Sequence, residues 1–107
     1  MKHEPDQFKC DFARPLEIAK EVARLARSVY GTDTEVIWFG SCPQGKASPH
    51  SDIDVAISTG APTAPERMSL LQEAVDNLAT LYGIDIVDLN ATGTALREEI
   101  LKYGKRL

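Results

Sequence analysis

The 107-residue sequence has few cysteines, no long apolar run and no basic stretch, and each absence excludes a class of protein. Its two cysteines, Cys10 and Cys42, lack metal-ligand spacing, and one pair does not indicate a disulfide framework. No apolar run approaches the roughly 20 residues that span a bilayer, and the first dozen residues are too polar for a secretory signal. These features predict a cytoplasmic protein that does not enter a membrane.

Positive charge is also scarce, since 12 Lys and Arg residues stand against 16 Asp and Glu residues and give a net charge of -4. Without a run of Lys or Arg there is no positive stripe for a long nucleic acid, so we expect no direct nucleic-acid binding. A chain of this length fits a single domain that buries little surface. We expect an N-terminal arm of residues 1–13, a domain over residues 14–107, and a partner chain in a homo- or hetero-oligomer.

Apolar periodicity in the first half of the chain predicts a helix and two strands. The helix covers residues 15–30 and stops at Gly31. Residues 35–39 are rich in β-branched and aromatic side chains and predict a strand that ends in a turn. A loop over residues 42–51 follows, and the alternation of apolar positions in residues 52–57 predicts the second strand.

The second half of the chain predicts a helix, a strand and a last helix. Thr63 and Glu66 form a capping box before an apolar stripe that continues to Tyr82. Residues 84–89 predict the third strand and residues 90–93 a turn. The last helix has Leu96, Ile100 and Tyr103 on one side and ends at Gly104. The order α-β-β-α-β-α predicts an α+β fold in two layers, with helices on a small, three-stranded mixed sheet.

Asp52 and Asp54 alternate with apolar residues, so the strand presents both carboxylates on one face, with their Cα atoms about 6 to 7 Å apart. Two carboxylates are hard oxygen ligands of the kind that Mg²⁺ takes together with substrate phosphates. Two solvated acids on an exposed strand face are the alternative interpretation.

Two further features could complete such a site. Gly40 and Ser41 directly follow a strand, where backbone N–H groups and a hydroxyl can meet a phosphate, although the pair alone can also be an ordinary turn. Asp85 lies mid-strand, where an unpaired buried carboxylate would cost several kcal/mol. Either a shared metal, an Arg or a backbone cap must then compensate it. Asp88 competes for the role but lies on the opposite face, nearer the strand end.

Gly40-Ser41, ten residues, then Asp52-Ile53-Asp54 resembles the G-S-x10-D-x-D signature of minimal nucleotidyltransferase domains. The surrounding WFGSCPQGKASPHSDIDVAIS, the strand IDIVDL and the closing LREEILKYGKRL are similar to the same family. The resemblance runs from about Glu35 to the C-terminus, and it implies the two-layer, DNA polymerase beta-like nucleotidyltransferase fold.

The resemblance also implies roles for individual residues. Asp52, Asp54 and Asp85 would bind Mg²⁺, most simply two ions, and carry catalysis, with Asp85 also helping to activate the acceptor. Gly40 and Ser41 would contact the triphosphate of ATP, the expected donor. Relatives often have a basic residue after Gly-Ser, but here that position is Cys42, so phosphate charge would fall to Lys46.

The smallest members of this family are commonly antitoxins that inactivate a HEPN-type ribonuclease toxin by adding AMP to a tyrosine. The resemblance therefore implies transfer of AMP to a hydroxyl of such a partner protein, and an acidic chain suits a basic, RNA-cleaving partner. Two alternatives are a noncatalytic antitoxin that masks its partner by binding, and nucleotidyl transfer to a small molecule such as an antibiotic.

Overall fold

The computed structural model describes residues 13–40, 52–80 and 82–107, which form three helices and four strands. In chain order these elements are α1 (Ala13–Tyr30), β1 (Glu35–Phe39), β2 (Ile53–Ser58), α2 (Pro65–Asp76), β3 (Ile84–Asp88), α3 (Thr94–Tyr103) and β4 (Lys105–Arg106). A 3-10 turn, Leu89–Ala91, joins β3 to α3. The predicted arm lies outside the described residues except for Ala13, which begins α1.

The strands form one mixed sheet in the order β3-β2-β1-β4. β1 pairs antiparallel with β2, and β2 pairs parallel with β3, so the predicted α+β fold with a mixed sheet is confirmed. The fourth strand was not predicted. After α3 ends, the chain turns back at Gly104 and β4 pairs antiparallel with β1. Two residues are too few to show a strand periodicity in the sequence.

The larger core lies between one face of the sheet and helices α1 and α2. The alternating residues of β1 and β2 and the apolar side of α1 contribute to it because both periodicities direct apolar side chains to this layer. Its buried members are Ile18, Ala19, Val22, Ala23, Ala26, Val36, Trp38, Ile53, Val55, Ile57, Leu71 and Val75. This core fixes which residues of β2 point to the opposite face.

The opposite face of the sheet carries a smaller cluster beneath α3, formed by Ile37, Ala56, Leu89 and Ile100. The prediction that Leu96, Ile100 and Tyr103 form a buried apolar side of α3 is therefore largely wrong. Ile100 is fully buried, but Leu96 is 40% exposed and Tyr103 is 51% exposed. α3 covers only part of this face.

Two predictions about α2 are also wrong. Its N-cap is Ala64, without a side-chain cap, and the amide of Thr63 donates instead to the Asp88 carboxylate. The helix ends at Asp76 rather than near Tyr82. Tyr82 still packs against the larger core after the helix has ended, which is why the apolar stripe continued in the sequence.

Within the three described ranges, none of the helices has both the length and the apolar character needed to cross a membrane.

Candidate active site

Asp54 lies on the central strand β2, on the sheet face opposite the larger core. Its neighbours Ile53 and Val55 are buried in that core, so the strand alternation directs Asp54 the other way. Its register partners are Phe39 of β1 and Asp85 of β3. The carboxylate is partly buried between an aromatic strand neighbour and a second acid.

Asp85 is brought beside Asp54 by the parallel pairing of β2 and β3. The expectation that Asp85 is buried is wrong, because β3 is an edge strand of the sheet and Asp85 is exposed. Because water can solvate the exposed carboxylate of Asp85, burial gives no reason for a metal there. The proximity of Asp85 to Asp54 does place a second carboxylate at the same position along the sheet.

Asp52 immediately precedes β2 instead of lying within it, and its side chain is exposed. It nevertheless belongs to the same group of charges, because its carboxylate is close enough to Asp54 to raise the pKa of that residue. The structure thus brings together Asp52, Asp54 and Asp85, the three acids singled out in the sequence.

Asp88 has a structural role at the end of β3. Its carboxylate accepts hydrogen bonds from the backbone N–H of Thr63 at 2.8 Å and of Asn90 at 3.0 Å. These hydrogen bonds connect the end of β3 to the segment before α2 and to the following 3-10 turn. Asp88 does not join the group of three acids.

Two glycines lie against the acids. Gly40 has φ of 92°, and a Cβ built there would collide with the Asp54 carboxylate, so both backbone conformation and space require glycine. Gly83 likewise lies against Asp52, because a Cβ built there would lie 2.6 Å from Asp52 Oδ1. Gly83 was not singled out in the sequence, although its place directly before an acid-bearing strand was a usable signal.

The predicted phosphate contacts of Ser41 and Lys46 lie outside the described residues, so both assignments stay predictions. Gly40 is described, and its position next to Asp54 shows that the turn after β1 leads directly to the acidic group.

The acidic group has no nearby positive charge in the described parts of the chain. None of the ion pairs there involves Asp52, Asp54 or Asp85. The pKa of Asp54 is raised to about 6, chiefly by burial and then by the negative charges of Asp85 and Asp52. Among the described residues, the three acids therefore form a cluster of negative charge without an ion-pair partner.

Such a cluster fits Mg²⁺ by its chemistry. It offers only hard oxygen donors, and a divalent cation would relieve the repulsion that raises the pKa of Asp54. In the conformation of the described residues, no three His, Cys, Asp or Glu side chains converge closely enough to form a metal site. Mg²⁺ needs only one or two protein carboxylates when phosphate and water oxygens complete its coordination, so the donor set is compatible with the ion.

Comparison with known proteins identifies the fold independently. The family model "Polymerase beta, Nucleotidyltransferase" matches residues 32–107, which include all three acids and both glycines next to them. No curated protein matches the chain significantly.

Several solved structures share the fold. A chain in a crystal structure of a toxin–antitoxin complex with AMP-PNP is 26% identical, with a TM-score of 0.66 over 82% of this chain and 70% of that chain. A chain of a mutant MntA-HpeT toxin–antitoxin complex is 29% identical, with a TM-score of 0.65 over 82% and 69% of the two chains. A third comes from a tri-AMPylated Shewanella oneidensis HEPN toxin in complex with an MNT antitoxin, at 22% identity and a TM-score of 0.60 over 86% and 70%.

Proposed function

The chain belongs to the polymerase beta nucleotidyltransferase family, and we propose that it transfers AMP from ATP, in the presence of Mg²⁺, to a hydroxyl of a partner protein. The proposed partner is a ribonuclease toxin of the HEPN type, so the protein would act as its antitoxin. The proposed site consists of Asp52, Asp54 and Asp85, with Gly40, Ser41 and Lys46 on the phosphates.

The observation that carries the proposal is the pairing of Asp54 with Asp85 across β2 and β3, with Asp52 beside them and no cation nearby in the described residues. No described residue forms an ion pair with these three like charges, so their proximity lowers the stability of the folded domain. Binding of a divalent cation with polyphosphate would relieve this repulsion, which supports the proposed function.

In the proposed reaction, the acceptor hydroxyl oxygen attacks the α-phosphorus of ATP. The bond from that phosphorus to the bridging oxygen of the β-phosphate breaks, and pyrophosphate leaves with the electron pair. Asp85, which like Asp52 is exposed, is proposed to accept the hydroxyl proton. Asp52 and Asp54 would hold Mg²⁺, which when bound neutralises charge on the triphosphate.

The proposed acceptor is supported by the structural neighbours and by charge. Two toxin–antitoxin complexes contain chains that are 26% and 29% identical to this one, and one of these complexes was crystallised with AMP-PNP, an analogue of ATP. A HEPN toxin bound to an MNT antitoxin of the same fold is itself AMPylated. The net charge of -4 suits a basic partner that cleaves RNA.

The test is a titration of toxin ribonuclease activity against this protein, with and without ATP and Mg²⁺, using wild type and Asp54→Asn. We expect a small molar fraction of wild type to silence excess toxin only when ATP is present, and intact-mass analysis to show AMP on the toxin. One-to-one neutralisation by both proteins with or without ATP would instead establish masking by binding. Transfer to an antibiotic but not to the toxin would establish a small-molecule acceptor.

A further inference from the structure

Gly83 lies directly before β3 and against the carboxylate of Asp52. A Cβ built on Gly83 would lie 2.6 Å from Asp52 Oδ1 and 3.2 Å from its Cγ, well inside the usual separation of nonbonded atoms. The carboxylate therefore occupies space that any other residue at position 83 would fill.

Contacts on both sides hold the backbone at Gly83 in place. Its carbonyl accepts the N–H of Ile53 at 2.8 Å, at the start of β2. The residues on either side, Tyr82 and Ile84, pack against the larger core. Asp52 is exposed and has a flexible side chain, so an added methyl group would displace the carboxylate instead of the backbone.

The requirement for glycine at this position is one of space. Positive φ values among the glycines of the described chain occur at Gly31, Gly40 and Gly60, so Gly83 has a backbone conformation that alanine also adopts. Replacement by alanine consequently tests the space next to Asp52 without imposing backbone strain.

We infer that Gly83 is a positioning residue, which sets the location of the Asp52 carboxylate relative to Asp54 and Asp85 by leaving room for it. The inference rests on the proposed function, in which Asp52 helps to hold Mg²⁺. Asp52 lies outside the strand pairing that aligns Asp54 with Asp85, so its position depends on local contacts such as this one.

The experiment compares Gly83→Ala with Gly93→Ala, a matched control. Gly93 has φ of -62° and a Cβ added there would meet no atom within 4 Å. The first measurement is the Mg²⁺ concentration that gives half of the maximal thermal stabilisation in the presence of AMP-PNP. We expect Gly83→Ala to raise it roughly 10- to 100-fold, the usual effect of disturbing a residue that orients a metal ligand. The control should match wild type.

Three further measurements distinguish positioning from a general loss of structure. Transfer by Gly83→Ala should recover toward the wild-type rate at high Mg²⁺, and its unfolding without Mg²⁺ should match the control. Adding Gly83→Ala to Asp52→Asn should change the Mg²⁺ response no further, because the glycine acts only through that acid.

Each contrary result overturns the inference in a recognisable way. A Mg²⁺ response in Gly83→Ala equal to that of Gly93→Ala, with wild type responding normally, would refute positioning and leave the proposed function intact. Unfolding of Gly83→Ala well below the control without Mg²⁺ would show that the backbone, not Asp52, absorbs the clash. Absence of any Mg²⁺ response in wild type would refute both the inference and the proposed metal site.

Discussion

Asp54→Asn should make the metal-free protein more stable while it abolishes transfer. The pKa of Asp54 in the folded chain is raised to about 6 from an ordinary 3.8, chiefly by burial and then by Asp85 and Asp52. One pKa unit corresponds to about 1.4 kcal/mol, which sets an upper limit of about 3 kcal/mol on the cost of the charge. Because the side chain is only partly buried and solvent screens it, we expect a gain of about 1 to 2 kcal/mol at neutral pH.

The pH dependence of this gain has a definite sign. Below pH 3.8 Asp54 is protonated in both the folded and the unfolded chain, so it contributes no difference. Between that value and about 6 the folded chain holds a proton that the unfolded chain has lost, so wild-type stability falls as the pH rises. Above about pH 6 the penalty is fully present. The advantage of the Asn variant should grow across this window and then level off.

Urea unfolding in EDTA at several values between pH 4.5 and 8 measures the effect directly. At pH 7.5 the variant should also melt about 5 to 15 °C above wild type. Asp33→Asn is the control, since Asp33 is an exposed acid in the turn between α1 and β1. Mg²⁺ with AMP-PNP should stabilise wild type more than the variant. Equal or lower stability of Asp54→Asn at pH 7.5 in EDTA would refute the argument that this acid is held in an unfavourable environment.

Four other substitutions separate residues of the site from residues of the fold. Asp85→Asn should lower transfer roughly a hundredfold or more without loss of stability, whereas Asp88→Asn should lower the free energy of unfolding by about 1 to 3 kcal/mol because its carboxylate accepts two backbone N–H groups. Transfer and urea-unfolding assays on both variants would contradict this prediction if Asp88→Asn lost transfer and Asp85→Asn lost stability. Gly104→Ala should lower the free energy of unfolding in urea by about 1 to 3 kcal/mol, since its Cβ would collide with the Ile37 side chain and the Ile100 carbonyl. The Cβ of Gly93→Ala meets no such atoms. Arg27→Met should lower the free energy of unfolding by about 1 to 2 kcal/mol, because the guanidinium of Arg27 donates to two backbone carbonyls. An unchanged melting temperature would refute that role.

The element order and the face of Asp54 could be predicted because both follow from apolar alternation. Ile53, Val55 and Ile57 must enter the core, and this alone assigns Asp54 to the other face. The pairing of Asp54 with Asp85 agrees with the grouping of acids implied by the family resemblance. The metal and phosphate roles given to these residues stay predictions.

Features that depend on neighbours distant in sequence could not be predicted in the same way. The exposure of Asp85 follows from the outer position of β3, and strand order is not encoded in the periodicity of one strand. The prediction of a capping box at Thr63 is wrong because the Asp88 carboxylate, 25 residues away, accepts the hydrogen bond of the Thr63 N–H. Sequence patterns describe each segment by itself, whereas these contacts arise from packing.

The core beneath the sheet also determines the geometry of the acidic site. Ile53 pairs with Ile84 one position before Asp54 pairs with Asp85, and both isoleucines pack into the larger core. A slip of one residue would turn β3 over and place Asp85 among apolar side chains, which would cost several kcal/mol. The alternation that folds the sheet therefore aligns Asp54 and Asp85 without any added interaction. Asp52 precedes the strand, so its position must be set locally.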